Sequence, residues 1–519
     1  MIFRLATRTV CLAAALALSI TNVFGDNGTL TNLGSYAVYD GTIYANRINL
    51  ASTVGSTWYT AYEQDQYSPS EVFSFVSAWT SSGWGTPSQL SPPNGMGADN
   101  PNLAWDSLMG RPVYAYHDWA ATQTTSNIWF GYYNSSTSSW VLGNGGQPVL
   151  SASLGFWDYP SVDVDSTGRI IVSGFLRTSP YGYWTVVSTN HGQTFSTVNT
   201  STNYGRVGTS NAFLSRTVAA GSEFLTFVPI PSSSNQNIPV GIQLYTSTNG
   251  ISWTLTKNPL ISFAAAMNNS PGTYSNGQYT GPIYYTSEID AHGYTNGNWS
   301  VVAQMNNTIG GQPYNNIVMC TSLFGGACYV INSAQDDEFL ASTDVSGDGG
   351  VWVSYVTYST LQTRQLPLIT QSIYRPPSGS TLGLTTYADL NPTYWQFDYP
   401  NDRCTVSCFD GGDYWRMAAN PYTGASAPFL LQQTSPLDAV WQVFLEDPPS
   451  PLVPGSFTPT VLEVPFGSDL SSLGTAALPP GTAGLTAVRP PRSIPLPPST
   501  VTPAAPAPPT STTAGAPQP

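Results

Sequence analysis

The sequence predicts an all-β fold, a β-propeller of about seven four-stranded blades, from its composition and from an internal repeat. Only 8% of the 519 residues are charged, a composition that disfavours long surface helices held by ion pairs. The repeat has units of about sixty residues that contain a strand, a turn and a second strand, with further strands following. Because one hydrophobic core rarely supports a chain of this length, the length indicates either several domains or a repeat architecture.

Four units of the repeat begin with an aspartate, carry a second Asp or Asn seven residues later, and continue through a glycine turn into a second strand. These pairs are Asp99 and Asp106, Asp158 and Asp165, Asp337 and Asp344, and Asp413 and Asn420. Three weaker units, around Gly55, Gly221 and Gly297, keep the strands and the turn but lose the leading aspartate. Asp/Asn-Gly turns between strands rich in Val, Ile, Tyr and Trp are typical of β-hairpins.

Stacking of the units follows from their amphipathic strands, because no single blade can bury both of its faces alone. A closed ring leaves only short, protected sheet edges. We therefore expect a propeller, in which Leu30 to Tyr39 is the candidate strand that closes the last blade. A ring of six blades and a straight stack of sheets are the alternatives.

The two ends of the chain differ from this repeat. Residues 1–25 contain Arg4 and Arg8, the apolar run Val10 to Ile20 and then small residues, the layout of a secretory signal peptide. A membrane anchor is the alternative, although the apolar run is short for a bilayer. We assign the propeller to residues 26–447, and we expect the Pro/Ser/Thr/Ala-rich residues 448–519 to be a disordered tail.

Four cysteines follow the predicted signal peptide, which is an even number in an oxidising compartment. We expect two local disulfide bonds, Cys320 to Cys328 and Cys404 to Cys408, with a metal site as the alternative. No cofactor is expected, although a structural calcium ion is conceivable. The segment from Asp344 to Gly350, with oxygen ligands at Asp344, Ser346 and Asp348, resembles a calcium loop. A plain hairpin turn explains the same residues.

The formal net charge of −14 excludes one class of partner. A strongly acidic chain repels phosphate backbones and anionic membrane surfaces, so we expect no nucleic acid partner. After the signal peptide no segment is long and apolar enough to span a membrane. We expect a monomer whose partner is an extracellular glycan or glycoprotein.

Two segments resemble the Asp-box of the sialidase superfamily, a hairpin turn found in the blades of that family. Ser188-Thr-Asn-His-Gly-Gln-Thr-Phe195 follows the pattern with Asn190 in place of the aspartate, and Ser247-Thr-Asn-Gly-Ile-Ser-Trp253 is one residue shorter. Asp413-Tyr414, preceded by Gly412, also resembles a segment of late blades in bacterial sialidase-like propellers. The resemblance covers about Gly41 to Leu445 and implies blade architecture, with the Asp-box turns far from an active centre.

A sialidase-like active site would need three arginines that grip a carboxylate. It would also need a tyrosine nucleophile activated by a glutamate, and an aspartic acid as proton donor. The candidates that the resemblance suggests are Arg47, Arg216 and Arg416 for the guanidinium groups, Glu288 beside Tyr284 and Tyr285, and Asp99 as the acid. The family's Arg-Ile-Pro motif is replaced by Arg47-Ile-Asn, so the complete set of catalytic motifs is not present.

The repeat itself locates a site, because the residue that opens the innermost strand of each blade lies at the mouth of the central channel. An acidic ring is therefore predicted from Asp99, Asp158, Glu288, Asp337 and Asp413. Neighbouring aromatic residues, such as Tyr159, Tyr414 and Trp157, suit the faces of sugars, and carboxylates accept hydrogen bonds from hydroxyl groups. The alternative is that each aspartate caps the turn of its own strand.

Three functions remain open at this point. The first is a secreted, noncatalytic propeller that binds glycans or protein partners at the channel mouth, where Arg47, Asp158, Arg216, Tyr414 and Arg416 would contact the ligand. The second is a glycoside hydrolase whose catalytic carboxylates are Asp99, Glu288, Asp337 and Asp413. The third is a structural protein of a cell surface or wall that is tethered by the Pro-rich tail.

Overall fold

The structure is a computed structural model in which twenty-three stretches of the chain are described. These are residues 29–40, 43–44, 48–52, 57–67, 70–80, 82–120, 123–179, 181–196, 205–207, 215–231, 239–262, 289–309, 312–322, 328–330, 337–345, 351–358, 368–374, 383–388, 417–419, 426–427, 429–435, 438–447 and 462–464. Within them the helical turns are two short 3₁₀ segments, Asn144–Gly146 and Ala152–Leu154, and the single 3₁₀ residue Ser322. No helix in these stretches has the length and apolar character needed to cross a membrane.

The described strands form seven antiparallel sheets that follow one another along the chain. The chain begins with β1 (Thr29–Asp40), which joins the last sheet. The first three sheets contain β2 (Ile43–Tyr44), β3 (Ile48–Ser52), β4 (Trp58–Tyr67), β5 (Ser70–Thr80), β6 (Gly83–Trp84) and β7 (Ser88–Leu90); β8 (Gly97–Asp106), β9 (Arg111–Trp119), β10 (Ile128–Asn134) and β11 (Ser139–Leu142); and β12 (Trp157–Val164), β13 (Ile170–Leu176), β14 (Gly182–Ser188) and β15 (Gly205–Val207). The other four contain β16 (Arg216–Ala220), β17 (Glu223–Pro231), β18 (Pro239–Ser247) and β19 (Thr254–Ser262); β20 (Ile289–Gly293), β21 (Trp299–Ile309), β22 (Gln312–Thr321) and β23 (Cys328–Val330), joined by β32 (Leu462–Val464); β24 (Asp337–Val345), β25 (Val351–Tyr358), β26 (Leu368–Tyr374) and β27 (Gly383–Ala388); and β28 (Ala418–Ala419), β29 (Ser426–Ala427), β30 (Phe429–Ser435) and β31 (Asp438–Asp447).

The sheets are arranged as a ring. Sheets two, three, four and six place their strands in sequence order from one edge to the other. The first strands contact one another in the order β3, β8, β12, β16, β20, β24, β28 and then β3 again. These strands therefore surround a central channel, and the predicted all-β propeller is confirmed.

The N-terminal strand closes the ring. In the last sheet β1 pairs antiparallel with β31, from Thr29 opposite Asp447 to Asp40 opposite Asp438, so the prediction of a closing strand at Leu30 to Tyr39 is confirmed. Beyond Asp447, the short strand β32 pairs with β23 in the fifth sheet, which gives three residues of the predicted tail a place in a blade. The rest of residues 448–519, and residues 1–25, lie outside the described residues.

The hydrophobic core lies between neighbouring sheets. Every residue of β13 is buried, because a middle strand is covered by a blade on each side. Phe130 of the second sheet and Trp157 of the third belong to one apolar cluster, and Phe227 of the fourth sheet contacts Trp299 of the fifth with ring centroids 5.3 Å apart. Each blade thus buries its faces on its neighbours.

Aspartates on the innermost strands also connect neighbouring blades. Each accepts a hydrogen bond from a backbone N–H of the next blade's innermost strand. The pairs are Asp163 Oδ2 with Ala219 N (2.8 Å), Asp290 Oδ2 with Thr343 N (3.0 Å) and Asp344 Oδ2 with Ala419 N (2.7 Å). The connections lie at the wall of the channel.

The strand pairing corrects the alignment of one repeat unit. The register shifts between Asp99 and Asn102 in β8, between Asp158 and Ser161 in β12, and between Phe339 and Ser342 in β24. Phe339, not Asp337, therefore occupies the position of Asp99 and Asp158. The alignment of Asp337 with the other leading aspartates was wrong by two residues, because the shared β-bulge, and not the shared aspartate, sets the register. The side chain of Asp337 is not among those described, so its predicted role stays a prediction.

One predicted disulfide bond is present. Cys320 of β22 and Cys328 of β23 are opposite each other in the ladder and are joined by an S–S bond of 2.07 Å. The other predicted pair, Cys404 and Cys408, lies outside the described residues.

Candidate functional site

The channel has two different ends. At one end, which we call the mouth, the innermost strands begin, and residues 91–96, 123–127 and 177–179 lie beside them. At the other, which we call the hairpin end, lie the turns between the first and second strands, such as Ser107–Gly110. The two Asp-box segments join the third strand to the fourth at the hairpin end, and each is a turn in which Ser188 or Ser247 accepts a hydrogen bond from the following glycine N–H. They are therefore far from the mouth, as expected.

Local sequence explains how two of the predicted acidic residues reach the mouth. Asp99 and Asp158 are each followed by a residue with positive φ, Asn100 at 55° and Tyr159 at 50°, and then by a proline. Proline has no N–H for the ladder, so the strand can bulge there without leaving a donor unpaired. The bulge turns each aspartate away from the regular alternation of its strand.

Asp99 and Asp158 meet through a buried histidine. The Nε2 atom of His117, on β9, lies 3.0 Å from Asp99 Oδ2 and 3.6 Å from Asp158 Oδ1. Asn100 Nδ2 donates to Asp158 Oδ1 at 2.9 Å and lies 3.0 Å from His117 Nε2. The imidazole is 1% exposed, so this cluster fixes the second blade to the third at the mouth.

Arg177 extends the cluster to the surface. Its Nη2 atom lies 2.5 Å from Asp158 Oδ2, and its guanidinium lies 5.5 Å from the centre of the Tyr159 ring. The backbone N–H of Tyr159 also donates to Asp158 Oδ1 at 2.8 Å. Phe156 packs edge-on against His117, and Tyr181, just before β14 at this end of the third blade, is 50% exposed. Aromatic faces and hydrogen-bonding groups thus lie side by side at the mouth.

Asp118 supports the mouth, and the sequence did not identify this role. Its buried carboxylate accepts hydrogen bonds from Asn94 Nδ2 (2.7 Å), from both the N–H (2.7 Å) and Nδ2 (2.7 Å) of Asn127, and from Trp129 Nε1 (3.0 Å). These bonds hold residues 91–96 and 123–127 against the second blade. The adjacent His117-Asp118 pair was the only signal, because each of its partners is distant in the sequence or on a loop.

A cavity of about 340 Å³ occupies the channel toward the hairpin end. It contains Arg216, whose Nε lies 3.8 Å from Asp290 Oδ1, and His292, whose Nε2 lies 2.8 Å from Asp344 Oδ1. Asp163 also lines this cavity, and burial raises its pKa to about 6. Burial lowers the pKa of His292, but the charges of Asp344, Asp163 and Asp290 outweigh burial and the pKa is raised overall.

The predicted site residues therefore separate into groups. Asp99 and Asp158 meet at the mouth, whereas Arg216 and Asp344 lie in the cavity with Asp163, Asp290 and His292, which the sequence did not identify. Among the described residues, no three His, Cys, Asp or Glu side chains are grouped so that they could hold a metal ion. Outside the described residues lie Arg47, Glu288, Ser346, Asp348, Asp413, Tyr414 and Arg416.

Comparison with known proteins gives resemblances of fold. No protein-family model and no curated protein matches the sequence. The Hadza microbial sialidase Hz136 is 10% identical with a TM-score of 0.40, over 62% of this chain and 65% of its own, so this chain spans less than two thirds of that sialidase. The NanB sialidase of Streptococcus pneumoniae is 10% identical over 65% of this chain and 68% of its own, with a TM-score of 0.40. An α-L-arabinanase of Penicillium chrysogenum, complexed with arabinobiose, is 13% identical over 63% and 94%, with a TM-score of 0.35. At these values the assignment of the fold rests on the strand pairing of the chain itself.

Proposed function

We propose that this protein is an extracellular propeller that binds neutral glycans at the mouth of its channel. The observation that carries the proposal is the group formed by Asp99, Asp158 and Arg177 beside the partly exposed ring of Tyr159, with the half-exposed Tyr181 just before β14 at the same end of the third blade. Carboxylates and guanidinium groups bond sugar hydroxyls, and aromatic faces cover the apolar faces of sugar rings. The extracellular location is supported by the signal-like residues 1–25 and by the Cys320–Cys328 disulfide, a bond typical of oxidising compartments.

Binding is favoured over hydrolysis by the hydrogen bonds of Asp158. Both of its oxygens are occupied, Oδ1 by Asn100 and the Tyr159 N–H and Oδ2 by Arg177. A glycosidase needs one carboxyl group that gives up a proton and a second that acts as base or nucleophile. A carboxylate held by an arginine and two N–H donors suits neither role, so Asp158 serves to fix the shape of the mouth.

Hydrolysis remains the second candidate because of one contact, the 3.0 Å approach of His117 Nε2 to Asp99 Oδ2. An imidazole beside a carboxylate is a pair that can hold and release a proton. In that case Glu288, Asp337 or Asp413 would supply the second carboxyl group.

A glycan-array screen of the full chain, run beside a panel of fluorogenic glycosides that includes a sialoside, tests the proposal. We expect binding without turnover. Tyr181→Ala should weaken the binding by about tenfold, since stacking on one aromatic ring contributes on the order of 1 kcal/mol or more. The matched control is Leu108→Ser, at the hairpin end, where the side chain is 59% exposed; it should bind as the parent does.

Two results would contradict the proposal. Turnover that Asp99→Asn, Glu288→Gln or Asp337→Asn abolishes would establish the hydrolase instead. If the protein melts cooperatively but shows neither binding nor turnover, the structural role at a cell surface or wall is favoured.

A further inference from the structure

The cavity at the hairpin end has one charged wall and one apolar wall. The charged wall comes from β12, β16, β20 and β24, which supply Asp163, Arg216, Asp290, His292 and Asp344. The opposite wall comes from β8 and from β28 with the residue before it, and is apolar or aromatic: Leu103, Ala104, Trp105, Met417 and Ala419. The cavity reaches the protein surface at the exposed Thr295. A concave space in which apolar and aromatic side chains surround a few convergent polar groups is a usual form of small-molecule site.

The charges of this wall do not balance. Asp290 faces Arg216 and Asp344 faces His292, but Asp163 has no ion-pair partner within 4.0 Å among the described residues. Its two oxygens accept only backbone hydrogen bonds, from Val164 N at 2.8 Å and Ala219 N at 2.8 Å. Asp163 is partly exposed to the cavity, so a carboxylate that makes no direct ion pair among the described residues faces a space open to ligand.

Two aromatic side chains also face the cavity and could contact a ligand bound near Asp163. Trp105 and Tyr294 both line it, and rings of this kind attract cations and cover the apolar faces of sugars. The indole Nε1 of Trp105 is buried and has no hydrogen-bond partner among the described residues. A ligand with an oxygen acceptor would satisfy this donor.

We propose that the hairpin end of the channel binds a small hydroxylated amine, a sugar with a free, protonated amino group. The ammonium group would lie against Asp163 and supply the missing positive charge, and the hydroxyl oxygens and ring would contact Trp105. An anionic ligand is disfavoured because three carboxylates face two cationic groups. A divalent metal ion is disfavoured because no three ligating side chains in the described part of the chain are grouped for one.

The raised pKa of Asp163 gives the proposed binding of an ammonium group a dependence on pH. Burial raises its pKa to about 6, while His292 and Arg216 act in the opposite direction. The charged groups that face it from the neighbouring strands are Arg216 on β16, Asp290 and His292 on β20, and Asp344 on β24. A bound ammonium stabilises the ionised form of Asp163. Binding should therefore weaken as the pH falls from 7.5 to 5, where Asp163 becomes protonated.

The test is a saturation-transfer NMR titration of the full chain with three matched sugars: glucosamine, glucose and N-acetylglucosamine. Only glucosamine carries a positive charge, so we expect it to bind at least about tenfold more tightly than the other two at pH 7.5. A tetramer of glucosamine, titrated in parallel, distinguishes a free amino sugar from a terminal residue of a polymer. If the terminal unit of the tetramer can enter the cavity, monomer and tetramer will bind with similar affinity. If only the monomer binds, the ligand of the site is a free amino sugar.

Two variants separate this site from the rest of the molecule. Asp163→Asn keeps an acceptor for the Ala219 N–H and removes the charge, so glucosamine binding should fall at least about tenfold. Thr295→Trp, a substitution at an exposed position, should block the opening of the cavity. If Asp163→Asn fails to fold, the affinity of Thr295→Trp for glucosamine tests the proposal in its place. Tyr181→Ala, at the mouth, should leave glucosamine binding unchanged, so loss of mouth binding and loss of cavity binding are distinguishable.

The proposal is overturned if glucose and glucosamine bind equally to the Tyr181→Ala variant, in which binding at the mouth is weakened, or if neither binds. It is also overturned if Thr295→Trp and a folded Asp163→Asn both retain the affinity of the parent protein for glucosamine.

Discussion

Replacing Asp344 with alanine removes a side chain that connects three blades. This aspartate is 7% exposed, and its carboxylate accepts hydrogen bonds from Val345 N and Ala419 N, both at 2.7 Å. It also faces His292 Nε2 at 2.8 Å. The substitution would leave one backbone donor at the boundary between the sixth and seventh blades, and an imidazole in the channel, without their acceptor.

The expected loss of stability follows from these contacts. A buried donor left without its acceptor costs about 1–3 kcal/mol, and removing one partner of a buried ion pair costs about 3–5 kcal/mol. The side chain of His292 is 34% exposed to the channel, so the ion pair is partly screened and the two terms do not simply add. We expect Asp344→Ala to lower the free energy of unfolding by about 3–4 kcal/mol, within the range for such pairs. Asp344→Asn, which keeps one carbonyl acceptor, should lose about half as much.

Urea unfolding followed by tryptophan fluorescence measures this loss as a shift of the midpoint, compared at equal slope. Leu108→Ser is the matched control, because its side chain is 59% exposed at a hairpin tip and should change stability by no more than about 0.5 kcal/mol. A loss for Asp344→Ala below about 1 kcal/mol, or one equal to that of the control, would show that the ring is not held together by this carboxylate.

Three further predictions concern the same structure. Between pH 5 and pH 8 the stability should fall as the pH rises, because the raised pKa values of Asp163 (about 6) and His292 mean that the folded state binds more protons than the unfolded state. Thermal melts of the parent and of Asp163→Asn across this range check the prediction. If the melting temperature of both proteins changes equally with pH, the role of Asp163 is contradicted. Replacing Cys320 and Cys328 with serine should lower the free energy of unfolding by about 2–3 kcal/mol, from the loop of separation 8 that the bond closes, and adding reductant should affect only the parent protein. Deleting residues 29–40 should expose the edge of β31, so the truncated protein should elute as aggregates in size-exclusion chromatography. A monomeric truncated protein with the melting temperature of the parent would contradict closure of the ring by β1.

The predicted fold was confirmed because its signals are local. Asp/Asn-Gly turns between short strands mark each hairpin, and the repeat of these turns indicates a ring without reference to distant contacts. The register of β24 was not predicted, because a bulge changes the alignment by a backbone conformation that the side chains do not reveal. Asp337 has the expected residue type and spacing, and yet Phe339 takes the corresponding position.

The mouth was predicted in part and the cavity was not. Asp99 and Asp158 stand at the start of strands and before prolines, so the sequence distinguishes them from ordinary strand residues. Asp163, Asp290 and His292 lie inside strands, where a polar residue at alternate positions usually indicates a solvent-facing side. Only closure of the ring turns that side toward a channel and toward the next blade.

The three histidines of the chain show how the few charged groups are used. Each lies beside an aspartate of a different strand: His117 with Asp99, His191 with Asp106 and His292 with Asp344, at 3.0, 2.9 and 2.8 Å. The second and third of these pairs join different blades, since His191 belongs to the Asp-box turn of the third blade and Asp106 to the hairpin of the second. Because packing between blades supplies most of the apolar core, polar pairs at the same boundaries fix how each blade is set against the next. Asp163 acts at such a boundary too, since its carboxylate accepts a hydrogen bond from Ala219 N of the next blade. A ligand bound to Asp163 in the channel should therefore stabilise the contact between the third and fourth blades.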